Sequence, residues 1–200
     1  MQTGTSEVGA PPAAERRGGE LGNLAVARIA TADSVDIVDL AAVAARTFPL
    51  ACPPSVASEN IASFIGANLS EERFAEYLAD PQRLVLTASG KGRIIGYAML
   101  ISGVNDDPDV RRAVHIRPAA ELSKMYVLPE HHGSGASTAL MDAALAAATE
   151  WGAGVIWLGV NQKNQRAQRF YRKCGFTVNG TRTFQLGAHV EHDYVMVRRA

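Results

Sequence analysis

The sequence has no surplus of either charge, few cysteines and no long apolar run. Twenty Lys and Arg balance 20 Asp and Glu, so the formal net charge is zero. A chain without a basic surplus lacks the electrostatic footprint of a nucleic-acid binder or of a protein drawn to an anionic membrane. No stretch approaches the roughly 18 apolar residues that span a bilayer. The opening "MQTGTSEVGAPPAAERRGGELGN" has no basic start followed by an apolar block, so no secretory signal is expected. Cys52 and Cys174 are the only cysteines and form neither a CxxC pair nor a framework. A reducing cytoplasm is the expected location.

Apolar residues make up 47% of the chain, enough for one full core within 200 residues. Residues 1–23 are rich in Gly, Pro, Ala and charge and are expected to be a disordered tail, leaving 24–200 as a single domain. "LAVARIAT" alternates as a strand does. In "ADSVDIVDLAAVAARTF", Asp33 or Ser34 predicts a helix cap, and Val35, Val38, Ala42 and Val43 recur at helical spacing. Two short helices follow within 55–80, the second opened by Ser70. "RLVLTAS" and "RIIGYAMLIS" flank the turn "GKG" as a hairpin. The polar stretch 103–119 is expected to be a long loop, followed by the strand "ELSKMYVL". A helix from Ser134, the continuous apolar strand "GVIWLGV", a helix "NQRAQRFYRKCG" and two closing strands complete the chain. The predicted order is β-α-α-α-β-β-β-α-β-α-β-β, a mixed α/β fold without strict alternation.

One junction suggests chemistry. "MYVLPEHHGSG" runs from a strand through glycines into a helix, which gathers backbone N–H groups at a helix N-terminus and suits a phosphate. No lysine follows Gly135, so a P-loop does not fit, and Thr138 stands where a dinucleotide fingerprint needs glycine. The junction alone is equally consistent with a plain turn. The adjacent His131 and His132 cannot easily face one ion, and the remaining histidines are scattered, so no metal site is expected.

The two stretches together resemble the GCN5-related N-acetyltransferase (GNAT) superfamily, and within it the PaiA-like polyamine acetyltransferases. Val127, Pro129, His132, Gly135 and Ser137 occupy its first motif, with His132 where Arg or Gln is usual and Ser137 where Gly or Ala is usual. Asn164, Ala167, Phe170, Tyr171, Lys173, Gly175 and Phe176 fill every fixed position of its second motif.

The resemblance implies a mixed, mostly antiparallel sheet splayed at the cofactor site and flanked by helices. It implies acetyl-CoA as donor and direct transfer to an amine in a ternary complex. The pyrophosphate would rest on the amides of His132, Gly133, Ser134, Gly135, Ala136 and Ser137. The pantetheine arm would lie along Met125, Tyr126 and Val127, with Asn164, Ala167 and Lys173 completing the cofactor set. Tyr171 corresponds to the general acid, although a plain core tyrosine is the alternative. Glu121 corresponds to an acidic position of the branch and is the candidate base, on a strand face expected to be shared by residues 121, 123 and 125. Phe48, Phe64, Tyr97, Glu191 and Asp193 are candidates for holding the acceptor. For a polyamine, Asp106, Asp107 and Asp109 could add charge, although a solvated loop charge run is the better explanation of them. The expected partner is a small-molecule amine, with a homodimer left open. A catalytically inactive acyl-CoA-binding regulator and a protein or peptide N-acetyltransferase remain alternatives.

Overall fold

Side-chain caps set where several helices begin. In the computed structural model, which describes residues 26–186 and 189–200, the first strand β1 (Val26–Ala30) leads to helix α1 (Ile37–Thr47). The expected tail lies outside the described residues. Asp36 is the N-cap of α1, its carboxylate accepting from Asp39 N at 3.0 Å. Asp33 and Ser34, the expected caps, instead lie in the preceding turn, where the Ser34 hydroxyl accepts from Thr31 N at 2.9 Å. The buried stripe of α1 is Leu40, Ala41, Val43, Ala44 and Thr47, and the expected core residue Val38 is 60% exposed. Val35 precedes the helix and Ala42 is also exposed, so of the expected stripe only Val43 lies on the face that meets the sheet.

A 3₁₀ turn (Phe48–Ala51) joins α1 to α2 (Ser58–Asn68), and α3 (Glu71–Ala79) follows, capped by Ser70. The hairpin is β2 (Arg83–Gly90) and β3 (Arg93–Ser102). The stretch expected to be a loop contains a helix, α4 (Pro108–Ala113), with Asp107 as N-cap and Pro108 in its first turn. Its six residues are too few to display a period, but Val110 and Ala113 are buried. Strand β4 (Ala119–Val127), helix α5 (Ala136–Glu150), strand β5 (Val155–Asn161), helix α6 (Gln165–Lys173) and strands β6 (Thr177–Leu186) and β7 (His189–Arg199) complete the order.

The seven strands form one sheet in the order β1-β2-β3-β4-β5-β7-β6, antiparallel everywhere except between β4 and β5. One face buries Leu140, Met141 and Ala144 of α5 against Leu122, Ile156 and Met196. On the other face, α1 and α3 pack Leu40, Ala44 and Phe74 against Val85 and Met99. Further along the same face, Val110 and Ala113 of α4 meet Trp157 and Val195. A cleft of about 650 Å³ is lined by Phe48, Leu69 and Tyr126 of the α1–α3 cluster and by Leu122, Val127 and Val160 of the α5 cluster. Among the described residues, no helix is long and apolar enough to cross a membrane.

Candidate active site

The parallel pairing of β4 with β5 is short. It joins Ala119–Glu121 to Val155–Trp157 and then stops, while β4 stays paired with β3 through Val127. The unpaired edge of β4 therefore faces a widening gap. Leu128 N–H donates to Ile95 O at 2.8 Å, toward β3. Backbone groups alternate sides along a strand, so those of Tyr126 also face β3 and those of Met125 and Val127 face the gap.

Beyond Val127 the chain makes a 3₁₀ turn at Pro129–His131 and enters α5 through Gly133 and Gly135, both at φ +86°. The positive φ is why glycine serves at both positions. His132 N–H donates to Pro129 O (3.1 Å) and Ser134 N–H to His131 O (3.2 Å), so these two expected phosphate donors are occupied by the turn. Ala136 N–H is held at 3.4 Å by the Ser134 hydroxyl. The amides of Gly133, Gly135 and Ser137 have no hydrogen-bond partner among the described residues. Three unengaged donors at the start of a 15-residue helix suit an anion. The His132 ring turns away from that role, and its Nε2 donates to Val127 O at 2.9 Å.

Across the gap, Asn164 caps α6 by accepting from Ala167 N at 3.0 Å. The buried Gln168 amide donates to the carbonyls of Asn161 (3.1 Å) and Gln162 (2.9 Å), fastening α6 to the end of β5. Tyr171 faces the cleft, edge-on to Phe170 and Phe176. Burial pushes its phenol up to about 12, with Cys174 adding to the shift, so it is protonated at neutral pH. Asn164 and Ala167 also line the cleft, whereas Lys173 is exposed and does not.

A β-bulge sets the far side of the site. Met99 pairs with Lys124 and Leu100 with Leu122, leaving Ser123 as the extra residue. The bulge reverses the alternation, so Leu122, Met125 and Val127 all pack on the α5 face. Glu121 therefore shares the opposite face with Lys124 and Tyr126, and not with Ser123 and Met125 as simple alternation predicts. Burial raises the Glu121 carboxyl above its usual range, while Arg182, Lys124 and Arg83 pull it back. Burial lowers the Lys124 ammonium to about 8, with Glu121 opposing that shift and Arg83 and Arg73 adding to it.

The expected acceptor residues divide. Phe48 and Phe64 stack with centroids 4.4 Å apart and planes 7° apart, forming an aromatic wall of the cleft. Glu191 and Asp193 also line it, and both are engaged. Glu191 accepts from Asn161 Nδ2 (3.1 Å) and Lys163 Nζ (3.2 Å), and Asp193 pairs with Arg182 at 3.4 Å. Tyr97 does not reach the cleft. It is fully buried against Phe74 and Tyr126, and its hydroxyl has no hydrogen-bond partner among the described residues. Asp106 and Asp109 pair with Arg111 and Arg112, and Asp107, the cap of α4, is the one of these three that borders the cleft. Among the described residues, no three His, Cys, Asp or Glu side chains gather as metal ligands.

Three contributors escaped the sequence reading: Lys124, Arg182 and Gly159. A Cβ at Gly159 would stand 2.6 Å from the Arg182 guanidinium carbon, so glycine leaves the space this side chain occupies. The only sequence signal was a glycine interrupting the apolar run of β5.

Comparison with known proteins gives a consistent result. The model of the acetyltransferase (GNAT) family matches residues 54–176. An uncharacterized N-acetyltransferase of Mycobacterium tuberculosis is 66% identical over 163 residues, which span 82% of this chain and 97% of that protein. The fold is similar to that of the PaiA N-acetyltransferase from Thermoplasma acidophilum, solved in complex with coenzyme A. Its TM-score is 0.68 at 22% identity, covering 88% of this chain and 99% of that one. A ribosomal-protein-alanine N-acetyltransferase from Brucella melitensis has a TM-score of 0.61 at 20% identity, covering 88% and 99%.

Proposed function

Because this chain belongs to the acetyltransferase (GNAT) family, we propose that it moves an acetyl group from acetyl-CoA to the primary amine of a small molecule, by direct attack in a ternary complex. The observation that carries this reading is the fork between β4 and β5, which opens after Glu121 and Trp157 and exposes a strand edge beside Tyr171. Acetyl-CoA supplies an activated thioester. The unengaged amides of Gly133, Gly135 and Ser137 suit its pyrophosphate, and the outward backbone groups of Met125 suit its peptide-like arm, with the Val127 N–H left for the thioester because His132 holds the Val127 carbonyl.

Each ionisable group then has a task. The acceptor amine attacks only after losing a proton, and Glu121, whose carboxyl burial makes more basic than an exposed glutamate, takes it directly or through water. The Val127 N–H polarises the acetyl carbonyl as negative charge develops on its oxygen. The C–N bond forms as the C–S bond breaks. Tyr171 gives its phenolic proton to the departing sulfur, whose own pKa resembles that of cysteine, near 8.5. A phenol held neutral up to about 12 retains that proton throughout the physiological range. Both cysteines are free, which fits the cytoplasmic location proposed for the enzyme.

The test is release of free thiol from acetyl-CoA in the presence of an amine panel, comparing the protein with Tyr171→Phe. Amine-dependent thiol release that falls sharply in the variant is expected. Tight binding of CoA with no turnover of any amine would instead establish an inactive acyl-CoA-binding protein.

A further inference from the structure

Resting on that acetyl-transfer reading, we infer that the acceptor is an amine that also carries a carboxylate, with Arg182 as the residue that anchors it. Arg182 starts on β6 directly opposite Asp193 of β7. Its guanidinium reaches across β7 to β5, where it lies over Gly159 and 5.7 Å from the Trp157 ring. Trp157 is the residue paired with Glu121, the last pair before the strands separate. The guanidinium and the Glu121 carboxylate therefore flank the mouth of the fork. With strands about 4.8 Å apart and about 3.3 Å per residue along them, the Cα atoms of Glu121 and Gly159 are at least about 8 Å apart, so their cleft-facing groups bracket a small guest.

The guanidinium is only partly used. Nε and Nη2 both approach the same oxygen, Asp193 Oδ2, at 3.4 Å, long for a charge-assisted bond. Nη1 has no hydrogen-bond partner among the described residues, and the side chain is 16% exposed along the cleft. An arginine with an unused planar edge beside an ion partner matches a second carboxylate. Lys124 adds another cation on the same face.

Charge accounting points the same way. The carboxylates of the cleft are Asp107, Glu121, Glu191 and Asp193, and they are matched in number by Lys124, Arg166 and Arg182 together with Lys163, the partner of Glu191. A polyamine would bring two or more positive charges into a field already balanced, whereas a zwitterion preserves the balance. Its ammonium would meet Glu121 and its carboxylate Arg182. Arg182 is also the cation that acts most strongly on Glu121.

The test uses matched amines that differ by one carboxylate: lysine against cadaverine, ornithine against putrescine, and phenylalanine against phenethylamine. The wild type is expected to give a kcat/KM at least about tenfold higher for the carboxylated member of each productive pair. Arg182→Met is expected to bring that ratio to about one. Gly159→Ala keeps the arginine but displaces it, and is expected to lower the ratio in the same direction. A thermal shift on adding CoA reports whether each variant is folded, and the wild-type ratio decides the matter if a variant is not. Equal or better turnover of the decarboxylated amines overturns this inference and leaves the acetyltransferase reading standing. So does a preference for phosphoethanolamine over every carboxylated amine. No turnover of any amine removes both.

Discussion

His132 Nε2 lies 2.9 Å from the carbonyl oxygen of Val127, so the loop that precedes α5 is stitched back onto the strand edge it has just left. The acceptor is a carbonyl, so Nε2 must carry the proton. The bond orients the last gap-facing residue of β4, while the Gly133, Gly135 and Ser137 amides stay unengaged among the described residues. An arginine at this position would reach a phosphate with its own charge. Here the ring acts on the protein itself.

Replacing His132 by alanine therefore leaves the Val127 carbonyl without this donor and loosens the loop. CoA affinity is expected to weaken by about two- to tenfold, the range of one neutral hydrogen bond. His132→Gln can present an N–H in a similar place and is expected to retain most of the affinity. Titration calorimetry with CoA measures both.

Tyr171→Phe removes a proton donor and little volume. The expected result is a fall in kcat of about 10²- to 10⁴-fold with little change in CoA affinity. The wild-type phenol stays protonated until about pH 12, so Tyr171 imposes no alkaline decline on the rate below about pH 11. A pH–rate profile for the chemical step checks this.

Glu121 must be ionised to accept a proton. Burial raises its pKa above the usual 4.5, so kcat/KM is expected to decline as pH falls through a value higher than that of a solvent-exposed glutamate. Glu121→Gln should abolish this acid limb and reduce kcat about 10²-fold or more. A limb that persists in the glutamine variant assigns the base elsewhere.

Lys124 costs stability at neutral pH. Its folded pKa is about 8 against 10.5 for a free lysine, so between these values the unfolded chain binds more protons and stability rises with pH. Below about pH 8 the cost is fully present. Lys124→Met is expected to stabilise the protein by about 1 kcal/mol at pH 7, after allowance for partial solvent exposure. The gain should shrink toward pH 10.5, as measured by urea unfolding at both ends of that window.

Elements built from neighbours in sequence were legible. The hairpin around Gly90, Lys91 and Gly92, the Ser70 cap, the apolar β5 strand and the Gly-rich entry to α5 all lie where expected. α4 was missed although Asp107-Pro108 is a sound helix opening, because six residues cannot display a period. The buried stripe of α1 was misread because it is rich in alanine on both sides, so apolar spacing alone did not separate exposed Val38 and Ala42 from buried Leu40, Ala41 and Ala44. Tyr97 was expected to help hold the acceptor because nothing nearby in sequence reveals that Phe74 and Tyr126 enclose it.

The site shows the same division. Local sequence was enough for the family motifs, the glycines of the loop, the Asn164 cap and the cleft-facing position of Tyr171, because caps, turns and helix faces depend on residues within a few positions of one another. It took the packed sheet to reveal that Ser123 bulges, which puts Glu121 on the face of Lys124 and Tyr126. The packed sheet also reveals that Glu191 and Asp193 already hold Lys163 and Arg182, and that Arg182 fills the space left open by Gly159. Those relationships join residues up to 28 positions apart in sequence, so they depend on pairing register and packing across the sheet, which no local pattern encodes.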